Sequence, residues 1–281
     1  MFGRSFGIFI TMADFTLDSN GIHILNKQFK VDYPETGHTD TVKFEDGSFW
    51  FKHRNNVICN TIDRYGIQGN FVDVGGGNGL QAKFIQTNYP QLKSCLVEPG
   101  YYGCLEASKR GVKYIYNSLF QDFDFQGFDT AYVGLFDVVE HIQDDAGFLI
   151  EVKAKLKKGT RIIITVPTYN WLWSDLDDYG SHHRRYNKKT IQELASKTGL
   201  QLTYFSYFFS YIVPLTYLLR VIPYKIRGAR SKEEILKAEA EQHIPNPIIN
   251  GFFSAVSSIE RKILKLGSLP FGASAIFVLE V

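Results

Sequence analysis

Cysteine is scarce: only Cys59, Cys95 and Cys104 occur in 281 residues, and no two of them form a C-x-x-C pair. That excludes a disulfide framework, gives no support for structural zinc and suits a reducing compartment. Neither sign of charge dominates. Lysine plus arginine number 31 against 29 acidic residues, a net charge of +2, so no field would draw the whole chain onto a polyanion and nucleic acid is not implied. Long apolar runs are missing too. The start, MFGRSFGIFITMADF, is too short and too interrupted for a signal peptide. The charge-free stretch from Thr198 to Leu219 is diluted by four tyrosines, three threonines inside or at its edge, two serines and Pro214. We expect no transmembrane helix and a cytoplasmic protein, at most touching the inner face of a membrane.

What is present is ordinary globular material, 44% hydrophobic and 21% charged, enough for one large domain with an appendage. From Asn70 to Val166 short β-rich runs alternate with helical patterns, the sign of a parallel sheet wrapped by helices. Strands are expected at Phe71 to Val74, Ser94 to Glu98, Val112 to Tyr116, Thr130 to Phe136 and Arg161 to Val166, with later ones at Leu200 to Phe208 and Ala273 to Val281. Helices are expected at Phe49 to Tyr65, Leu80 to Thr87, Tyr102 to Arg110, Asp145 to Lys158 and Lys188 to Thr198. The expected fold is α/β, a Rossmann-like doubly wound sheet of seven mostly parallel strands with helices on both faces. Residues 1–60 form an N-terminal appendage ending in a helix, 61–208 the core, 209–267 a helical insertion or lid, and 268–281 the last core strand. The insertion holds the run Ser210 to Ile222, a basic stretch with Lys225, Arg227, Arg230 and Lys232, a helical run from Lys232 to Glu241, and a second amphipathic helix in which Phe252, Val256, Ile259, Ile263 and Leu266 recur at helical spacing.

The strongest local signal is FVDVGGGNGLQAKFI. A buried strand ends in Asp73, glycines follow at positions 75, 77 and 79, and a helix opens at Leu80, so a small ligand should lie against the backbone at this strand's carboxyl edge. Spacing decides which ligand. A dinucleotide fingerprint counted from Gly75 and Gly77 requires glycine or alanine where Leu80 stands, which weakens the pyrophosphate reading. Asp73 would repel a phosphate but suits a cationic ligand carrying an ammonium and a sulfonium. Glu98, closing the second strand, can accept bonds from both hydroxyls of a ribose.

These motifs, with FDVVEHIQDD, LKKGTRIIITVPTYNWLWSDLDDYGSHHRRY and KKTIQELASKTGL, resemble the class I S-adenosylmethionine-dependent methyltransferases over roughly half of the chain. The resemblance implies S-adenosyl-L-methionine as cofactor, S-adenosyl-L-homocysteine as product and a small-molecule acceptor. It also implies that Asp73, Gly75, Gly77 and Gly79 follow the methionine moiety and that Glu98 holds the ribose. Leu119 and Phe120 would supply apolar contacts to the adenine, with Asp122 a looser candidate, and Phe136 and Asp137 would stand beside the methyl group. FWFKHRNN resembles the family's cofactor-covering helix, which would bring Trp50 and Arg54, one turn apart, over the site; packing on the sheet edge is the competing reading. The competing reading of Asp137, Glu140 and His141 is a helix cap with polar neighbours, which suits His141 better than Asp137.

The loop His182, His183, Arg184, Arg185, Tyr186 invites a metal reading, but adjacent histidines lack helical ligand spacing and arginine does not ligate a cation, so no metal is expected. It is read either as a proton-accepting face, with His182 or His183 as base, or as a loop tied to Asp175, Asp177 and Asp178. The aromatic and basic residues of 209–232 suggest an apolar lid or a peripheral membrane contact, and hence an acceptor that is hydrophobic, lipid-linked or sugar-containing. A catalytically silent cofactor-binding protein and an NAD-dependent oxidoreductase are the alternatives.

Overall fold

The computed structural model describes residues 14–25, 45, 47–66, 68–235 and 246–281. Residues 1–13 of the appendage and positions 236–241 of the expected Lys232 to Glu241 helix lie outside them. In the described residues the chain builds one nine-stranded sheet in the order β1-β2-β5-β4-β3-β6-β7-β9-β8. These strands are β1 (Phe15–Leu17), β2 (Ile22–Leu25), β3 (Asn70–Val74), β4 (Ser94–Glu98), β5 (Tyr114–Asn117), β6 (Thr130–Phe136), β7 (Arg161–Pro167), β8 (Gln201–Phe208) and β9 (Ser274–Glu280). All seven expected strands form. The third starts at Tyr114 instead of Val112, because Gly111 turns the chain with φ +79 and delays the extended run. Two further strands come from the appendage: β2 pairs parallel with β5 and β1 folds back on it, closing one sheet edge with a hairpin too short to read from alternation.

The central strands β5, β4, β3, β6 and β7 run parallel, and β9 returns antiparallel between β7 and β8. Alternation divides the core. Val72, Val74, Val133, Leu135, Ile162 and Ile164 pack under α4 (Asp145–Lys155) and α6 (Lys188–Thr198), whose buried side chains include Leu149, Val152 and Ile191. Phe71, Tyr132, Phe136 and Ile163 face the other way, against Val57, Ile58 and Ile62 of α1 (Phe49–Asp63). α4 ends three residues earlier than its lysine-rich tail suggests, since Leu156 turns extended and drops back into the core.

The insertion is helical in short pieces at its start: a 3-10 turn at Ser210–Ile212, a short α7 (Val213–Thr216), a π-helical turn Tyr217–Val221 and α8 (Ile222–Arg227). Pro214 and Pro223 each start a new segment at its first turn, where a missing N–H costs nothing. α9 (Pro247–Leu266) is a full 20-residue helix. It buries Ser257, Glu260 and Leu264 against α1, whereas four of the five residues of its apolar stripe, Phe252, Ile259, Ile263 and Leu266, face outward and Val256 is partly buried.

Among the described residues no helix is long and apolar enough to cross a membrane. The three cysteines are buried and unpaired.

Candidate functional site

Strand order reverses at β3, which has β4 on one side and β6 on the other, and the crevice at such a switch point is where doubly wound sheets bind ligands. The residues after β3 make a loop that only glycine can build. Gly79 sits at φ +72 as the cap of α2 (Leu80–Asn88), and a Cβ there would stand 2.7 Å from Ala107 Cβ on α3 (Tyr101–Lys109). A Cβ on Gly76 would stand 2.4 Å from an oxygen of Asp73. Asp73 therefore lies behind the loop, fully buried, and among the described residues neither of its carboxylate oxygens has a close hydrogen-bond partner. Burial pushes its pKa up to about 7, partly offset by the Ala82 amide and the Arg54 charge.

Glu98 ends β4 beside this loop. Its carboxylate accepts from Gly77 N at 3.0 Å and from Gly100 N at 2.7 Å, tying the glycine loop to the start of α3. Burial raises its pKa and these two amides oppose the rise. At the end of β5, Asn117 donates to the carbonyls of Glu98 and Pro99 at 3.0 and 2.9 Å. Next to it Ser118 is fully buried with its hydroxyl unpartnered among the described residues, Leu119 is exposed, and Phe120 packs edge-on against Phe148 at 5.0 Å.

On the far side of the crevice β6 ends in Phe136 and Asp137. The Phe136 ring is buried and stacks with Phe71 at 6.1 Å, so it belongs to the core. Asp137 has φ +54, a conformation disfavoured for a residue with a side chain, and is held there by Thr165, which donates at 3.1 Å, and by an ion pair with Arg54. Arg54 thus reaches the crevice and pairs with a carboxylate of the protein itself. Trp50, one turn earlier, lies flat on Phe209 at 3.9 Å between ring centroids, so α1 packs against the insertion as well as the sheet.

Beyond Asp137 a short turn carries Glu140 and His141. Glu140 is fully buried, with both oxygens unpartnered among the described residues, and burial together with Asp137 pushes its carboxyl well above the usual range. His141 meets His182 edge-on at 4.7 Å, and burial and that neighbour hold its pKa down. His182 Nδ1 lies 2.9 Å from Asp177, while Arg185 grips the same carboxylate with two donors at 2.7 and 2.8 Å. Burial opposes ionisation of Asp177, but these bonds win and bring its pKa down to about 2. Of the three aspartates expected to hold the loop only Asp177 does so; Asp175 pairs with Arg230, and Asp178 accepts from Trp173 and Tyr224. Arg184 pairs with Asp145, and His183 is exposed with its amide on the Glu140 carbonyl.

A family profile described as a methyltransferase domain matches residues 50–204, just over half of the chain. The chain belongs to the S-adenosyl-L-methionine-dependent methyltransferase family. Solved structures agree in fold. Phosphoethanolamine N-methyltransferase 2 of Haemonchus contortus, in complex with S-adenosyl-L-methionine, aligns with a TM-score of 0.52 and 16% identity over 89% of this chain. The chain spans only 58% of that enzyme's length. The plantazolicin methyltransferase bound to S-adenosylhomocysteine aligns with a TM-score of 0.53 and 10% identity, covering 86% of this chain and 88% of its own. A putative methyltransferase of Haloferax volcanii, in complex with the Trm112 activator, gives 0.52 and 12%, covering 88% and 95%. No curated protein matches the chain.

The family's cofactor is S-adenosyl-L-methionine, and the crevice of this methyltransferase fits it. The unpartnered Asp73 carboxylate offers a negative field behind a loop that leaves no room for side chains, and Glu98 retains lone pairs for hydroxyl donors. Membership sets the oxidoreductase alternative aside. Two residues were not legible beforehand. Glu45, from the appendage, accepts two bonds of 3.0 Å from Asn78 of the glycine loop and pairs with Arg110, a contact across sequence that no local pattern announces. Ser118 could have been found only as a small polar residue following a strand.

Proposed function

We propose that the chain transfers the methyl group of S-adenosyl-L-methionine to a hydrophobic or lipid-linked acceptor, the sugar-containing envelope precursors among them, that is met at an anionic membrane surface. The observation that carries the transfer reading is the glycine loop tied to Glu98 at the switch point of the sheet. When bound, the cofactor supplies a methyl group on a sulfonium, open to in-line displacement. In this reading Gly75, Gly77 and Gly79 follow the methionine moiety, Glu98 accepts from the ribose hydroxyls, and Leu119 and Phe120 bound the adenine. Asp137, fixed by Arg54 and Thr165, orients the acceptor, and Trp50 with Phe209 excludes water. For a hydroxyl acceptor His182 or His183 takes the proton; a carboxylate acceptor needs no base.

Calorimetry tests the cofactor role. Wild type should bind S-adenosylhomocysteine with one-to-one stoichiometry. Glu98→Gln should bind it about 10- to 100-fold more weakly, as expected for bonds to a charged acceptor worth about 1.5–3 kcal/mol. Unchanged affinity in that variant would remove Glu98 from the ribose.

The acceptor class is supported by the insertion. Leu218, Leu219 and Ile226 stand exposed, Ile226 by 77%, next to Lys225 and Arg227. The outward stripe of α9 adds Phe252 at 64% and Leu266 at 92%, flanked by Lys262 and Lys265, and the helix's one acid, Glu260, points inward. Apolar side chains beside cations match an anionic headgroup layer. Vesicles of phosphatidylglycerol and phosphatidylcholine should carry the wild-type protein on flotation. A Phe252→Asp/Ile259→Asp variant should bind at least tenfold less, since each buried side chain of this size contributes about 1.5–3 kcal/mol. Equal recovery of the two proteins would reject the membrane reading.

A further inference from the structure

We propose that Glu140, His141 and His182 form a binding site for one divalent transition-metal cation beside the crevice. Each offers one ligand atom, and the three atoms lie within 4.8 Å of one another. Ligands around a common ion at bonds of about 2.1 Å stand roughly 3–3.5 Å apart, so adjustments on the order of an ångström close the set. Two independent features point to a ligand, the buried Glu140 carboxyl and the setting of His182. The Glu140 side chain is fully buried, yet neither oxygen finds a partner among the described residues, an arrangement that folded proteins avoid unless something is to be bound. His182 donates from Nδ1 to Asp177, which leaves Nε2 as the nitrogen carrying the lone pair, the carboxylate–imidazole arrangement that orients metal-binding histidines. Arg185 clamps Asp177 with two bonds and fixes the second ring partner in turn. Gly180 leaves space next to that nitrogen: a Cβ on it would stand 3.2 Å from His182 Nε2.

Two imidazoles and one carboxylate make a donor set for Zn²⁺, Co²⁺, Fe²⁺ or Mn²⁺ and not for Ca²⁺, which takes oxygen ligands. Three protein ligands leave coordination positions open, and Asp137, three residues before Glu140, places them near the acceptor side of the crevice. The class of acceptor that would use them is one bearing an oxygen donor. With Nε2 of His182 on an ion, proton acceptance falls to His183. The expectation of no metal considered only the adjacent pair His182 and His183; the fold instead pairs His182 with His141, 41 positions earlier in the chain, a partnership invisible to spacing rules.

The full chain, treated with chelator and dialysed, should be titrated with Zn²⁺ by calorimetry and with Co²⁺ by visible absorption. One equivalent should bind, with Co²⁺ d–d bands of a nitrogen–oxygen site, and Zn²⁺ should raise the melting midpoint. Glu140→Gln, His141→Gln and His182→Ala should each weaken binding at least tenfold and abolish the rise in melting midpoint, whereas His23→Ala should keep both. Asp177→Asn should weaken binding 10- to 100-fold without removing a ligand. Circular dichroism of each metal-free variant separates lost binding from lost folding, and His182→Ala, at a partly buried position, serves if Glu140→Gln does not fold. Binding of less than a fifth of an equivalent by the wild type, or binding undiminished in all three ligand variants, would overturn the proposal. Neither result bears on S-adenosylhomocysteine binding, so the site and the transfer reading fail separately.

Discussion

Glu260→Ala should lower the unfolding free energy by about 3–5 kcal/mol, the cost of leaving several buried donors unsatisfied at about 1–3 kcal/mol each. This carboxylate, on α9, is the knot between the insertion, the appendage helix and the sheet. It accepts from His53 Nε2 at 2.8 Å, from Phe209 N at 2.6 Å and from Ser210 N at 2.9 Å, and also from the Ser210 hydroxyl. Burial opposes the charge, but these donors hold Glu260 below its ordinary pKa, while burial keeps His53 below its own. The pair is thus a carboxylate and a neutral imidazole that donates from Nε2, with Arg261 3.3 Å from Nδ1. Phe209 has φ +59, a strained corner that the Glu260 bond holds in place and on which Trp50 stacks. Removing the carboxylate strands two amides and frees that corner. Glu260→Gln, which keeps a neutral acceptor, should cost clearly less. Urea unfolding read by tryptophan fluorescence and circular dichroism measures both, and a loss under 1 kcal/mol for the alanine variant would deny the knot its role.

Asp73→Asn should stabilise the cofactor-free protein, by up to about 4 kcal/mol above pH 7 and by almost nothing near pH 4. The folded-state pKa of about 7 lies above the ordinary 3.8, so the unfolded chain releases this proton first as the pH rises. The contribution of Asp73 is therefore fully present below about pH 3.8 and is lost between there and about pH 7, where the buried carboxyl ionises without partners. Unfolding curves of the two proteins at several pH values should diverge across that window. The same linkage makes a cationic ligand bind more tightly as the pH approaches 7, by up to about tenfold per pH unit, and asparagine should flatten that slope. A stability difference that does not change with pH would mean that Asp73 is solvated or partnered.

Much of this was readable from local pattern. The run FVDVGGGNG announced a strand, a turn and a helix because apolar alternation, three glycines and a helix opening each have one conformational meaning there. Glu98 was legible because a strand end in a parallel sheet is a ligand edge. α9 shows where local reading misleads. Its apolar stripe marks a face but not which way that face points; Phe252 and Ile263 look outward because the side with small and polar residues, Ser257 and Glu260, fits against α1.

The order and type of the central elements and the glycine loop were determined by sequence alone, since each rests on periodicity and spacing within about thirty neighbouring residues, and membership of the methyltransferase family by the likeness of several ordered motifs across half of the chain. Tertiary structure decided which side chains meet: Arg54 with Asp137, Glu45 with Asn78, His53 with Glu260 and His141 with His182. Those pairings join distant segments through burial and charge, and a desolvated polar group takes whichever partner the packed fold brings within reach, a choice that no local pattern encodes.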